Sequence, residues 1–465
     1  MSEIASPESS GEPTLSALCY ADGDSSDLTD LTIVAKDEFD SWYETLDAAG
    51  QAAVNQAQFK GGPGQTLWLN NGVIAGGSGA DDFSALGSLA LQLPEGNYRP
   101  TQTLTPLQQL GWALGGYQFT RYKAPRRSPA RLILTGSEAE QAQVCLTADA
   151  VALTRDLINT GAGDMAPSHM SAEASALAEQ FGAQCSITTG DELLDMECGA
   201  IHAVGRAAED PPCLIDIAWS GSQAPADAIK VAVVGKGVTF DSGGLDIKPA
   251  AGMRLMKKDM GGGAAALGLA YMIMAADLPV HLRVLVPCAE NAISGNAFRP
   301  GDVLHTHKGL TVEIDNTDAE GRLLLCDALS IACEDEPDYI FDFATLTGSA
   351  RSAVGAEIAA MFCNDDALAN ELMQAGEASA DSLWRLPLHS GYRYMLDSKV
   401  ADLVNSAASG YGGAITAALY LENFVENTRW THFDLMAYNT RKRPGHPEGG
   451  EAMAIRAVFH WLANQ

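Results

Sequence analysis

Positive charge is scarce in this sequence. Its 465 residues carry 29 Lys and Arg against 59 Asp and Glu, a formal net charge of -30. Such a chain repels a phosphate backbone and an anionic membrane surface, which argues against nucleic acid as a main partner and against membrane attachment. Long apolar runs are lacking too. The longest nearly apolar stretch, Gly263–Ala276, is closed by Asp277. It is too short to cross roughly 30 Å of hydrocarbon as a helix and reads as a buried core helix. A basic leader is missing, since the first Lys or Arg is Lys36, so no export signal is expected and a cytoplasmic protein is. The nine cysteines are odd in number, scattered and without a C-x-x-C, which fits reduced, mostly buried thiols in a reducing compartment. Internal repeats are absent as well. Gly161–Ala166 matches G-x-G-x-x-A, but a helical pattern precedes it and Pro167 follows, so the strand that a dinucleotide site needs is not there.

What is present is a globular composition, 46% hydrophobic and 19% charged, on a chain long enough for two domains. Residues 1–14 are polar and rich in Ser, Pro and Glu, and are expected to be disordered. Residues 15–140 alternate short apolar runs (Leu31–Val34, Thr66–Leu69, Ala130–Leu134) with helical patterns and predict a small N-terminal α/β domain. A connecting helix is expected over 141–160, within a helical pattern from Ser137 to Asn159, and a larger domain over 161–465. In the latter, Ile229–Val234, His281–Pro287 and Tyr339–Phe343 read as buried strands. Gly262–Ala276, Arg322–Cys333 and Ala414–Asn427 read as helices. The fold class expected for this domain is an α/β/α sandwich around a mixed central sheet, with its site at the carboxyl ends of strands.

Two segments carry chemistry. In the first, a strand ending at Val234 runs into Gly235-Lys236-Gly237 and on through Asp241, Lys248 and Asp259. Glycines there let backbone approach a ligand, and the charges need compensation if buried; a solvated surface loop is the other reading. The spacing is not that of a phosphate-binding loop. The second is Asn316-Thr-Asp318-Ala-Glu320-Gly-Arg322-Leu, after the strand-like Thr311–Ile314 and before an apolar helix. Asp318 and Glu320, two positions apart, point the same way in an extended chain and can hold a metal; capping of the helix is the alternative. Together, Asp241, Asp259, Asp318 and Glu320 would form a carboxylate cluster, stable only if cations balance it, and two divalent ions roughly 3.5–4 Å apart would do so. No histidine lies in either segment. His305 and His307 are not expected to be ligands, His432 is expected to bond within the core, and Asp246 and Asp315 read as ordinary turn acids.

At these residues the chain resembles the leucyl aminopeptidase (cytosol aminopeptidase) family. NTDAEGRL stands complete at Asn316–Leu323, and GKGVTFDSGG…IK is followed by an aspartate eleven residues after its second lysine. Arg155–Asn159 (RDLIN) and Asp342–Gly348 (DFATLTG) are similar to family blocks, so the likeness covers about 150–465. The first 140 residues are compatible in length with the family's variable N-terminal domain.

The resemblance implies Lys236, Asp241, Asp259, Asp318 and Glu320 as ligands of two divalent ions, zinc, manganese or sometimes magnesium. Asp241 and Glu320 would bridge them, and Lys236 and Asp259 would belong to the tighter site. It implies Lys248 and Arg322 as catalytic groups, with bicarbonate on Arg322 as a proton shuttle, and Met256, Thr345 and Gly348 as walls of the pocket for the first side chain. The implied activity releases leucine-like N-terminal residues from short peptides with a free amino terminus, in a homohexamer, by a water made nucleophilic between the ions. A ligating Lys236 must be neutral, far below its usual pKa of about 10.4. Asp246, Lys258 and the stretch Arg441–Glu448 depart from the family's usual residues, and the last is expected to reshape the pocket rim. A dipeptidase of narrow specificity (for cysteinylglycine, for example), a DNA-binding or regulatory protein and an inactive assembly partner are the other readings.

Overall fold

A computed structural model describes residues 13–23, 27–70, 72–77 and 83–465. Of the segment expected to be disordered, 1–12 lie outside the described residues, while Thr14 caps a short helix, Leu15–Cys19, by accepting from Ala17 N.

The chain divides into two compact units, Met1–Ala152 with Lys442–Pro447, and Leu153–Arg441 with Glu448–Gln465. The division falls inside the helix α1, Glu138–Asn159, rather than at its ends. The first unit holds a six-stranded sheet in the order Tyr20–Ala21, Arg131–Ile133, Asn97–Pro100, Leu28–Ala35, Gly72–Gly77, Thr66–Leu69. The helix Pro106–Gly116 starts at a capping box made by Thr105 and Gln108, and its buried Trp112 donates Nε1–H to Ala130 O at 3.0 Å. The late segment Lys442–Pro447 groups with this unit, where Gly445 N donates to Gly87 O at 2.8 Å.

The second unit is built on a nine-stranded sheet. Its strands are β1 Gln184–Thr189, β2 Cys213–Ser220, β3 Lys230–Gly235, β4 Gly237–Asp241, β5 His281–Asn291, β6 Tyr339–Ala344, β7 Ala359–Cys363, β8 Leu383–Arg385 and β9 Arg429–Asp434. The order is β8-β7-β9-β6-β3-β5-β2-β1, with β4 paired to β5. The centre, β9-β6-β3-β5, is parallel, whereas β2 runs antiparallel to β5, β1 to β2 and β7 to β9, so the sheet is mixed as expected.

The central strands are apolar on both faces because both are covered. Ala232 and Val234 of β3 belong to one cluster with Leu323–Leu325 and Leu329 of α3, Gly321–Cys333. The alternate residues Val231 and Val233 are equally buried on the opposite face, where α2, Gly261–Ala275, packs. His432 lies in this core, as expected: its Nδ1 is 2.5 Å from Asp342 Oδ1, and Trp430 Nε1–H donates to Asp342 Oδ2 at 2.6 Å. No helix among the described residues is long and apolar enough to cross a membrane.

The glycines opening α2 bring it close to the sheet. A Cβ on Gly262 would lie 2.0 Å from Phe343 O in β6, and one on Gly235 would lie 2.6 Å from Gly262 O. Backbone cannot yield there cheaply. Gly262→Ala is expected to lower stability by about 1–3 kcal/mol or more, read by chemical denaturation.

Candidate metal centre

Lys236 sits where β3 ends, and its backbone is clasped from two sides: its N–H donates to Phe343 O at 2.9 Å, and its C=O accepts from Gly263 N at 2.7 Å. Its side chain, 2% exposed, runs across the first turn of α3. Gly321 makes this passage possible, since a Cβ there would stand 2.4 Å from Lys236 Cε. The ammonium donates to Asp259 Oδ2 at 2.6 Å and to Thr345 O at 3.2 Å, and lies 3.0 Å from Glu320 Oε1.

Asp241 closes β4. Its Oδ1 accepts from Gly243 N at 2.8 Å and from Asn291 Nδ2 at 2.9 Å, and its Oδ2 is 2.7 Å from Lys248 Nζ. Lys248 also pairs with Asp318. Asp259 follows the turn Met256–Lys258, and its Oδ1 accepts from Thr345 Oγ1 at 2.8 Å. Glu320 is the residue just before α3, 2% exposed, and its Oε2 has no hydrogen-bond partner. Carboxylate oxygens of Asp241, Asp259 and Glu320 all lie within 4.8 Å of one another. The structure thus brings Lys236 and these three acids into one buried cluster and attaches the more exposed Asp318 through Lys248. Oxygen donors with one amine suit a hard or borderline divalent ion, and the bare Oε2 of Glu320 is a donor atom still to be satisfied, so these residues fit such a group.

Electrostatics follow from the crowding. Burial, then Asp241 and Asp259, push the Glu320 carboxyl up to about 7. Burial, then Asp259, raises Asp241, and burial raises Asp318. Burial also works against ionised Asp259, but Lys236 and Lys258 outweigh it and hold its carboxyl below the ordinary value. For Lys236, burial opposes the ammonium, yet Asp259, Glu320 and Asp241 together hold its pKa above the ordinary value. Among protein groups alone the ammonium is the counter-ion of the cluster, so neutrality of Lys236 requires other cations to take that place.

Arg322, 8% exposed, donates Nη1–H to Asn405 O at 2.6 Å, and its Nε has no partner. Met256 opens the turn before Asp259, Thr345 touches Asp259 directly, and Gly348 begins α4, Gly348–Val354.

Several positioning residues escaped the sequence reading. Asn291, fully buried at the end of β5, joins Asp241 to Thr317 O at 3.0 Å. Asn405 Oδ1 accepts from Asp315 N and Asn316 N at 2.9 and 3.2 Å, and its Nδ2 donates to Asn316 O at 2.7 Å. Asp246 is no mere turn acid, because its Oδ2 accepts from Thr317 N at 2.8 Å and fastens one loop of the cluster to the other. An amide far along the chain leaves no local pattern, whereas Thr317 lay inside the motif itself. His307 bonds Met196 O and Glu334 at 2.8 and 2.9 Å, outside the cluster. Gly161 follows α1, not a strand, and leads into a short turn at Ala162–Asp164.

The family model described as cytosol aminopeptidase family, catalytic domain, matches residues 152–459, and the one described as M17 aminopeptidase, N-terminal domain, matches 29–135. A probable cytosol aminopeptidase of Geobacter sp. (strain M21) is 38% identical over 406 residues, 83% of this chain and 79% of that protein. The crystal structure of a cytosol aminopeptidase from Coxiella burnetii is 44% identical, with a TM-score of 0.90 over 96% of this chain and 99% of that one. The bottromycin maturation enzyme BotP in complex with Mn is 31% identical, with a TM-score of 0.83 over 95% of this chain and 99% of that one.

Two tests follow from the geometry. Gly321→Ala forces a methyl group into the path of Lys236 and is expected to weaken divalent-ion binding about tenfold or more with circular dichroism unchanged, checked by calorimetric titration with manganese. The raised carboxyl of Glu320 predicts a pH slope in chelated protein. Its favourable contribution is complete below the unfolded value of about 4.5 and is lost as pH rises through about 7, so melting temperature should fall across that window, and Glu320→Gln should flatten the fall.

Proposed function

The chain belongs to the cytosol aminopeptidase family, and from that premise we propose how its site performs the hydrolysis. It is a metal-dependent aminopeptidase, a hydrolase of peptide bonds. The narrow dipeptidase and the DNA-binding protein find no support among its relatives.

Our reading assigns Lys236, Asp241, Asp259, Asp318 and Glu320 as the ligands of two divalent ions, manganese or zinc. The observation that carries it is the buried approach of three carboxylates within 4.8 Å of one another around a single lysine. Bound there, the ions would supply an activated water and polarise the scissile carbonyl. The remaining work falls to the protein. A substrate's free amino terminus, in its neutral form, would offer a ligand to one of the ions, which would favour exopeptidase action on short peptides. Lys248, with 15% of its side chain exposed, is the cation able to meet negative charge growing on the carbonyl oxygen. Arg322 presents a planar fork, one arm fixed by Asn405 and Nε unpartnered, suited to a carboxylate-like anion such as bicarbonate, which would accept and return the proton. Met256, Thr345 and Gly348 would wall the pocket for a leucine-like first side chain. A cytoplasmic homohexamer completes the proposal.

Chelated protein is expected to leave leucine anilide intact, and manganese or zinc to restore cleavage. Glu320→Gln should reduce kcat/KM by more than the about 10–100-fold typical of groups that merely support a ligand, with the fold retained by circular dichroism. Full activity in rigorously chelated enzyme, or unchanged turnover in the variant, would refute the assignment.

A further inference from the structure

One buried acid of the second unit serves a single loop. Asp434 ends β9 opposite Ala344, the last residue of β6, and is 2% exposed. Its Oδ1 accepts from Leu346 N and from Thr347 N, each at 3.0 Å, and its Oδ2 accepts from Thr347 Oγ1 at 2.6 Å. Among the described residues its side chain hydrogen-bonds to nothing outside this loop. Thr347 Oγ1 in turn accepts from Ala350 N at 3.0 Å, so the same contact fixes the start of α4. Thr345 is held from another side. Its Oγ1 donates to Asp259 Oδ1 at 2.8 Å, and its carbonyl oxygen accepts from Lys236 Nζ at 3.2 Å. The loop between β6 and α4 thus has two separate anchors, the acidic cluster for Thr345 and Asp434 for Leu346 and Thr347.

Gly348 follows this pair directly and is exposed. It has no side chain, so a pocket wall made there is a wall of backbone. Its place is set by whatever holds the residues just before it. Without Asp434, two N–H groups, one of them on buried Thr347, would lose their acceptor, and buried donors are not left unmet cheaply. We propose that Asp434 is a positioning residue for the substrate's first side chain: acting through Leu346 and Thr347, it sets where Gly348 stands and so how well the pocket grips a large first side chain. This rests on the reading of Gly348 as a wall of that pocket. Grip of this kind is felt equally in the bound substrate and in the transition state, so its loss falls on KM rather than on kcat. The anchor of Thr345 on Asp259 stays intact, so metal affinity is spared.

Manganese-loaded full-length enzyme should be assayed on Leu- and Ala-first dipeptides sharing one second residue. Four variants stand beside wild type. Asp434→Ala removes the acceptor and Thr347→Val removes the hydroxyl, whereas Asp434→Asn keeps an oxygen for the two N–H groups and Thr347→Ser keeps the hydroxyl. In Asp434→Ala the KM for the Leu-first peptide is expected to rise about tenfold or more with kcat within about threefold, and the Leu-over-Ala ratio of kcat/KM to fall toward unity. Thr347→Val should lower that ratio about threefold or more, while the Asn and Ser variants stay nearer wild type. Manganese affinity, by calorimetric titration, should hold within about threefold throughout. If Asp434→Ala does not fold, Thr347→Val decides, because it leaves the carboxylate and both backbone bonds in place. A wild-type ratio in the Ala and Val variants overturns the proposal. So does a fall in kcat and manganese affinity with KM unmoved, which marks a support of the acidic cluster instead, or a loss in the Asn and Ser variants as full as in Ala and Val. Gly348→Val separates the two levels. If it leaves the Leu-over-Ala ratio unchanged, the pocket assignment itself fails; if it lowers that ratio while Asp434→Ala and Thr347→Val do not, only the role of Asp434 fails.

Discussion

Three carboxylates that should repel one another are packed out of water, and the rest of the site is arranged around that constraint. Lys236 alone cannot neutralise Asp241, Asp259 and Glu320, and burial, with repulsion among the acids added to it, raises the carboxyls of Glu320 and Asp241. Besides Lys236 and Lys248, a shell of neutral groups keeps the acids in place. Asn291 and Gly243 N hold Asp241, Thr345 holds Asp259, and Gly321 supplies the gap through which the lysine arrives. Each contributes shape or hydrogen bonds, and none brings charge of its own.

The sheet explains why two stretches about 80 residues apart meet. Lys236 and Asp241 come from the ends of β3 and β4, while Glu320 begins the helix that covers one face of the same sheet. Parallel strands place their carboxyl ends together, and the start of a covering helix falls at that same edge. Thr345, just after β6, belongs to the next strand over and reaches Asp259 by the same rule.

Much of this was legible in the sequence because the signals are local. Buried parallel strands declare themselves as continuous apolar runs: His281–Pro287 was read where the strand is His281–Asn291, and Tyr339–Phe343 where it is Tyr339–Ala344. The covering helices were read within a few residues of their ends, apart from Ala414–Asn427, which stops at Glu422. The carboxylates were visible as charged residues at strand ends, though spacing alone left Asp318 and Glu320 open between a cap and a metal site. What stayed hidden depends on contacts far along the chain. Asn405 and Asn291 are ordinary amides in sequence, and only the folded chain brings them against the loops of the site. A neutral Lys236 is tied in the sequence reading to nearby cations, and with the protein groups alone Asp259, Glu320 and Asp241 hold its pKa above the ordinary value.

β5 is long enough to serve two partners in succession. Leu282–Leu285 pair with Val231–Val234, and further along Cys288–Asn291 pair with Gly237–Asp241, the register shifting between Val238 and Phe240. Lys236 occupies the gap between the two pairings and turns its N–H to β6 instead. Two donors separated by an interruption are therefore suspended from one continuous rail. Changing the spacing between amine and carboxylate would mean deforming a central strand of the sheet, so the gauge between Lys236 and Asp241 is set by the sheet itself.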